Sequence, residues 1–161
     1  ALSMAAGVGF GWAKPVPVDP RNLRRPRRDM MWVALAGPAV NFALAILSAV
    51  LFVLARRWRL DAGFVGEPAA LMLQASFSIN TALAAFNLIP ILPFDGGRIL
   101  AGLLPLRLAW PYSRSEPYGF FVVLGLILLG WLHLILWPIY TTLRAAELWL
   151  VRNLLQVLGL Y

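Results

Sequence analysis

Cysteine is absent from the 161 residues, and histidine occurs once, at His133. The first absence excludes disulfide frameworks and thiolate metal sites and leaves the redox compartment unreadable. The second leaves any metal centre short of imidazole. Charge is scarce as well: 13% of the residues are Asp, Glu, Lys or Arg, against about 25% in an average soluble domain. Acidic residues are half as many as basic ones, 7 against 14, for a formal net charge of +7. No basic n-region precedes the first apolar stretch, since Lys14 follows it, so no signal peptide is visible. What fills the chain is hydrocarbon. Hydrophobic residues make up 61%, where a soluble domain has about 45–50%, and the expected class is an integral membrane protein with the lipid bilayer as its partner. The basic residues gather at the ends of apolar runs, where anionic head groups attract them. No recognition motif accompanies them, so the positive charge does not indicate nucleic-acid binding.

A spanning helix needs about 20 apolar residues, within a range of about 17–25. Residues 30–55 carry no charge and read as a first transmembrane helix, with Arg24, Arg25, Arg27, Arg28 and Asp29 before it and Arg56, Arg57 and Arg59 after it. Residues 69–94 form a second charge-free run, rich in polar groups: Gln74, Ser76, Ser78, Asn80, Thr81 and Asn87. Such groups in a membrane helix face other helices or a wet cavity. Pro90 and Pro93 break this run, because proline lacks the backbone donor and clashes with the preceding turn. Residues 118–137 read as a third span closed by Pro138. In residues 139–161, Thr141, Arg144, Glu147, Arg152 and Gln156 recur at roughly helical spacing. That stretch is expected to be an amphipathic helix in the interface, with a span as the other option. Leu100 to Leu108 is expected to be a short helix and Trp110 to Pro117 a loop. The expected fold is thus a single all-α membrane domain. It has three transmembrane helices, a C-terminal amphipathic helix, and a small N-terminal β-hairpin with a basic loop in residues 1–29. Three spans put residues 1–29 and 95–117 on one side, with the larger share of the basic residues, and so place Asp95 towards the cytoplasm.

Three segments carry candidate chemistry. In Gly9-Phe-Gly-Trp-Ala-Lys14-Pro-Val-Pro-Val18, prolines alternate with valines. Pro15 and Pro17 leave one strand edge without donors, while Val16 and Val18 keep donor and acceptor on the other. Such an edge closes a hairpin or takes an extended peptide; a Pro-rich interfacial loop is the plainer reading. In Ala36-Gly37-Pro38-Ala-Val-Asn41, Gly37 permits close helix approach and Asn41 bonds across the contact. In Asn87-Leu-Ile-Pro90-Ile-Leu-Pro93-Phe-Asp95-Gly96-Gly97, a carboxylate closes a long apolar run. A carboxylate at membrane depth costs roughly 2.5–3.5 kcal/mol at a helix centre, and its default reading is a functional group. The prolines free carbonyls, the glycines permit backbone geometry closed to other residues, and Asn87 offers donor and acceptor. An unwound peptide held beside Asp95 and a plain N-cap Asp both fit these residues.

Taken in order, the three segments resemble the site-2 protease family of intramembrane zinc metallopeptidases, in its compact bacterial form, over roughly residues 7–104. The resemblance implies a zinc ion with Asp95 as its third ligand. It implies that Asn87, with the carbonyls around Pro90 and Pro93, holds the substrate backbone. Gly37 and Asn41 would pack against the helix that bears the other ligands, supported by Gly96 and Gly97. The segment around Val16 and Val18 would be a re-entrant hairpin that binds the substrate in extended form. The family's first two ligands and general base lie in His-Glu-x-x-His, where two histidines share a helix face and the glutamate activates the zinc-bound water. That motif is absent from these residues, and His133 reads as a packed or interfacial histidine. The abrupt opening at Ala1 gives the expectation of a C-terminal fragment, with the general base and the histidine ligands upstream of Ala1 and the isolated chain inactive. The resemblance further implies a transmembrane protein as substrate and a bacterial cytoplasmic membrane as location. A non-catalytic membrane protein that binds extended peptides is the alternative. A transporter would call for a second broken helix, which the sequence lacks.

Overall fold

The computed structural model describes residues 25–160. The expected hairpin, with Val16 and Val18, lies outside the described residues. Among the described residues every regular element is a helix: α1 (Pro26–Arg57), α2 (Gly63–Asn87), α3 (Asp95–Leu103), α4 (Leu106–Arg114), α5 (Glu116–Leu128) and α6 (Leu132–Val157). Three of them, α1, α2 and α6, are long and apolar enough to cross a membrane. The chain is an integral membrane protein.

α1 opens on Pro26, whose fixed φ and missing N–H suit the first helical position. Asp29 in its first turn accepts the backbone N–H of Arg25 at 2.9 Å. Arg56 and Arg57 close it, at the end where the helix dipole favours cations. The helices meet through small side chains. Ala45 and Ala84 have no exposed surface, and Ala34, Ala49 and Ala85 are buried with them. Small residues let backbones approach when lipid removes the hydrophobic reason for large ones to turn inward. Large side chains such as Phe120, Phe121 and Leu128 of α5 point outward instead.

A few contacts fix the directions. At the start of α1, the Arg27 guanidinium donates twice to the Ala101 carbonyl of α3, at 2.9 and 3.1 Å. Near the end of α1, Val53 and Leu54 pack around Ala49, Val151 and Leu155. Phe77 of α2 packs on the same cluster, and Thr81, one turn on, lies 2.7 Å from Glu147, one turn before Val151, so α6 runs antiparallel to α2 and parallel to α1. Asp95 lies at the end where α1 begins.

The boundaries depart from the sequence-based expectation in the second half. Residues 118–137 are not one helix. α5 stops at Leu128, and its 13 residues rise roughly 20 Å, short of the roughly 30 Å hydrocarbon core. Gly130 adopts φ +70°, Gly130 N–H bonds Ile127 O at 3.0 Å, and Trp131 N–H bonds Leu126 O at 2.8 Å. This paired closure is a Schellman end, which a left-handed glycine makes inexpensive. The expected amphipathic tail is likewise no separate helix: it continues α6, which begins at Leu132 and carries Pro138 inside it. Leu100–Leu108 is split, because Pro105 forces Leu104 into extended backbone (ψ 147°). The expected loop from Trp110 to Pro117 is mostly helical, forming the second half of α4 and the start of α5, where Pro117 sits in the tolerant first turn.

Candidate functional site

The site begins where α2 runs out. Asn87 is its last residue and is half-buried. Helical bonding lapses over residues 88–94, where Ile91 N–H bonds Ile89 O at 2.8 Å and Phe94 N–H bonds Ile91 O at 3.0 Å. Ile89 and Leu92 turn inward and are buried, while Pro90 and Pro93 are exposed. Phe86 and Phe94 close the two ends of the loop edge to face, with centroids 4.7 Å apart. Tyr112 of α4 donates its hydroxyl to the Pro90 carbonyl at 3.0 Å. Burial pushes the Tyr112 phenol above its ordinary value, so the donor keeps its proton.

Asp95 follows as the first residue of α3. The N-cap residue is Phe94, and no side chain caps this end, so Asp95 does not serve as a capping aspartate. Its carboxylate turns instead to α1. A Cβ added at Gly37 would lie 2.8 Å from Asp95 Oδ2, so glycine at 37 leaves the room that the carboxylate occupies. Burial raises the Asp95 carboxyl above its ordinary value, and the Arg98 charge one turn on offsets part of that. Arg98 also reaches Glu116 of α5, N to O 3.5 Å. Asn41, one turn after Gly37, is half-buried on α1.

Gly96 and Gly97 are required for a different reason from the expected one. Neither has positive φ. A Cβ at Gly96 would run into the Leu88 and Ile89 carbonyls, and one at Gly97 into the backbone of Ile91 and Leu92. They are small because α3 is pressed onto the loop. Gly119 of α5 is pressed onto the Leu92 carbonyl from the other side. That buttress, together with Tyr112, was not read from the sequence, where neither residue belongs to a motif.

The structure brings Gly37, Asp95, Gly96, Gly97 and the proline loop together at one end of the bundle. His133, at the start of α6, is exposed, has Nδ1 against the Gly130 carbonyl, and lines an apolar cavity with Ala85 and Phe86 at the end of α2. Among the described residues, no three His, Asp or Glu side chains lie close enough together to hold a metal ion. A catalytic zinc needs three protein ligands, so these residues alone do not fit one. Sequence reading also missed Glu147, which is fully buried on α6. The sequence shows it only as one member of the polar series from Thr141 to Gln156, which does not tell a buried face from an exposed one.

The profile of Peptidase family M50 matches residues 62–130, which span the Asn87 loop, Asp95 and Gly119. A Bacillus subtilis (strain 168) protein, named "Putative zinc metalloprotease YwhC", is 35% identical over 157 residues, covering 94% of this chain and 69% of that protein. The chain belongs to Peptidase family M50, the site-2 protease family. Two further relatives come from Methanocaldococcus jannaschii. One, named a zinc metalloprotease, is 32% identical over 65% of this chain, which spans 28% of its length. The other, named "Putative zinc metalloprotease", is 31% identical over 65% of this chain, which spans 44% of its length. No solved structure matches the chain.

Proposed function

We propose that these residues supply one ligand and the substrate-holding elements of an intramembrane zinc metalloprotease that hydrolyses peptide bonds in transmembrane protein substrates. The observation that carries this reading is the Asp95 carboxylate seated against Gly37, at the mouth of a backbone loop whose own helical bonds have lapsed. Asp95 is the metal ligand. Asn87 and the carbonyls around Pro90 and Pro93 hold an unwound substrate strand, because a helical amide is closed to attack. Val16 and Val18 offer that strand an edge. Gly37 and Asn41 form the face on which the helix with the remaining ligands packs, and Gly96 and Gly97 keep α3 close enough for Asp95 to reach it. The general base and two histidine ligands come from residues outside these 161. The site sits towards the cytoplasmic face of a bacterial cytoplasmic membrane, with the basic ends of α1, α3 and α4.

The test is zinc stoichiometry and cleavage, measured with and without a membrane segment bearing His-Glu-x-x-His. The purified 161-residue chain is expected to hold no stoichiometric zinc and to cleave nothing. Joined to such a segment from a relative, it is expected to hold one zinc, and both zinc and cleavage are lost on Asp95→Ala. Stoichiometric, Asp95-dependent zinc in the isolated chain would remove the need for outside ligands. A joined protein that binds an extended peptide but no zinc would favour a non-catalytic peptide-binding protein.

A further inference from the structure

Glu147 lies near the middle of α6 with no exposed surface, and nothing in the proposed protease site uses it. Its Oε2 is 2.7 Å from Thr81 Oγ1 of α2, and Thr81 Oγ1 is 2.8 Å from the Phe77 carbonyl one turn back. Oε1 has no hydrogen-bond partner among the described residues. An ionisable residue inside a membrane bundle is by default a functional site with a partner to be named.

Counting protons narrows what the partner is. An ionised carboxylate only accepts, at roughly four lone-pair positions, and a threonine hydroxyl has a single proton to give. Here an ionised Glu147 would have one donor at most, and would take it from Phe77. A buried charge so poorly served is far more costly than a neutral acid in the same place. The charged groups around it offer no substitute. α1 carries none over residues 30–55, and α2 none over residues 68–87. On α6 itself, Arg144 donates to the Tyr140 hydroxyl at 2.8 Å and lies 5.7 Å over the Phe77 ring. The ion pairs among the described residues are Arg56–Asp61 and Arg98–Glu116, and neither involves Glu147. His133 and Arg152 stand further along α6, at 14 and 5 positions from Glu147.

We propose that Glu147 is a proton-binding site that ties α6 to α2. At neutral pH Oε2 carries the proton and donates it to Thr81 Oγ1, and Thr81 donates its own proton to the Phe77 carbonyl. Every donor in this relay is used, and one acceptor, Oε1, is left over. When the proton is lost to water, a bare carboxylate remains buried between α6 and α2, and α6 undocks. The sign follows from linkage. The folded chain holds a proton that the unfolded chain releases, so this contribution to stability is complete in acid and falls as pH rises. The proposal is independent of the zinc reading.

The test is infrared difference spectroscopy of the purified chain in lipid vesicles at neutral pH, wild type minus Glu147→Gln. The expected spectrum shows the carbonyl stretch of one protonated carboxyl, lost in the variant. In Thr81→Val, which leaves Glu147 in place, the band persists and shifts because its acceptor is gone. The melting temperature of the wild type is expected to fall from neutral to alkaline pH, while that of Glu147→Gln stays level. Loss of ionised-carboxylate bands instead would overturn the proposal. So would a protonated band that appears only in Arg144→Gln, which would reveal an ion pair. A band that fades as sodium chloride is added at constant pH would assign the site to a metal cation and overturn it too. Should Glu147→Gln fail to fold, the Thr81→Val shift and the pH and salt series on wild type decide alone.

Discussion

At the scale of single residues, the candidate site is built as much by missing side chains as by present ones. Asp95 reaches α1 because Gly37 has no Cβ, and α3 reaches the loop because Gly96 and Gly97 have none. The same logic makes Gly119 a sharp probe. A Cβ there would overlap the Leu92 carbonyl, which is backbone and cannot swing aside, whereas a Cβ at Gly125 on the same helix meets nothing within 4 Å. Gly119→Ala should therefore destabilise the chain by about 1–3 kcal/mol, the usual cost of overpacking. Gly125→Ala should be neutral or gain up to about 1 kcal/mol from helix propensity. Unfolding of both variants in detergent micelles checks this, and equal effects would mean that α5 does not bear on the loop. The motif residues Asn87, Pro90, Pro93 and Asp95 were legible because each is unusual in an apolar run. Gly119 and Tyr112 were not, since their importance comes from what lies opposite them in space.

At the scale of elements, the long charge-free runs that became α1 and α2 were plain in the sequence, because basic residues mark both ends of the first and a proline-broken loop ends the second. The α5–α6 break was hidden for a physical reason. Hydropathy stays high straight through residues 118–137, and the signal for the break is one glycine with left-handed backbone, which hydropathy does not weigh. Glu147 was read as part of a polar stripe because helical spacing says which face a residue shares, not whether that face meets lipid or another helix. Three helices, α1, α5 and α6, end in the same paired closure, with Arg59, Gly130 and Gly159 at φ between 55° and 70°. Arginine at this position crowds its Cβ, and the left-handed conformation costs a non-glycine residue roughly 1–2 kcal/mol. Arg59→Gly should thus raise stability by up to about 1 kcal/mol, and Gly130→Ala should lower it by about 1 kcal/mol or more. Opposite signs in one unfolding series are the expected result; a neutral Gly130→Ala would mean that α5 runs on into α6.

At the scale of the whole molecule, the directions of α1, α2 and α6 divide the charge between two ends. The Arg27 contact to α3 gathers Arg25, Arg27, Arg28, Arg98, Arg107 and Arg114 at the end that holds Asp95. Arg56, Arg57 and Arg59 lie at the other end, in the turn from α1 to α2. Basic residues close to spans are retained in the cytoplasm, so the Asp95 end is expected to face inward. The absence of cysteine makes this directly measurable, because a single introduced thiol has no background. Ser113 on α4 and Ala62 between α1 and α2 are both exposed and lie at opposite ends. With a membrane-impermeant maleimide on intact cells, Ala62→Cys should be labelled and Ser113→Cys protected until the membrane is opened. The reverse pattern would turn the candidate site outward and limit its substrates to spans cut near the outer face. Labelling of both on intact cells would mean that the two ends share a side and that α2 does not cross, which would remove the membrane geometry on which the placement of Asp95 depends.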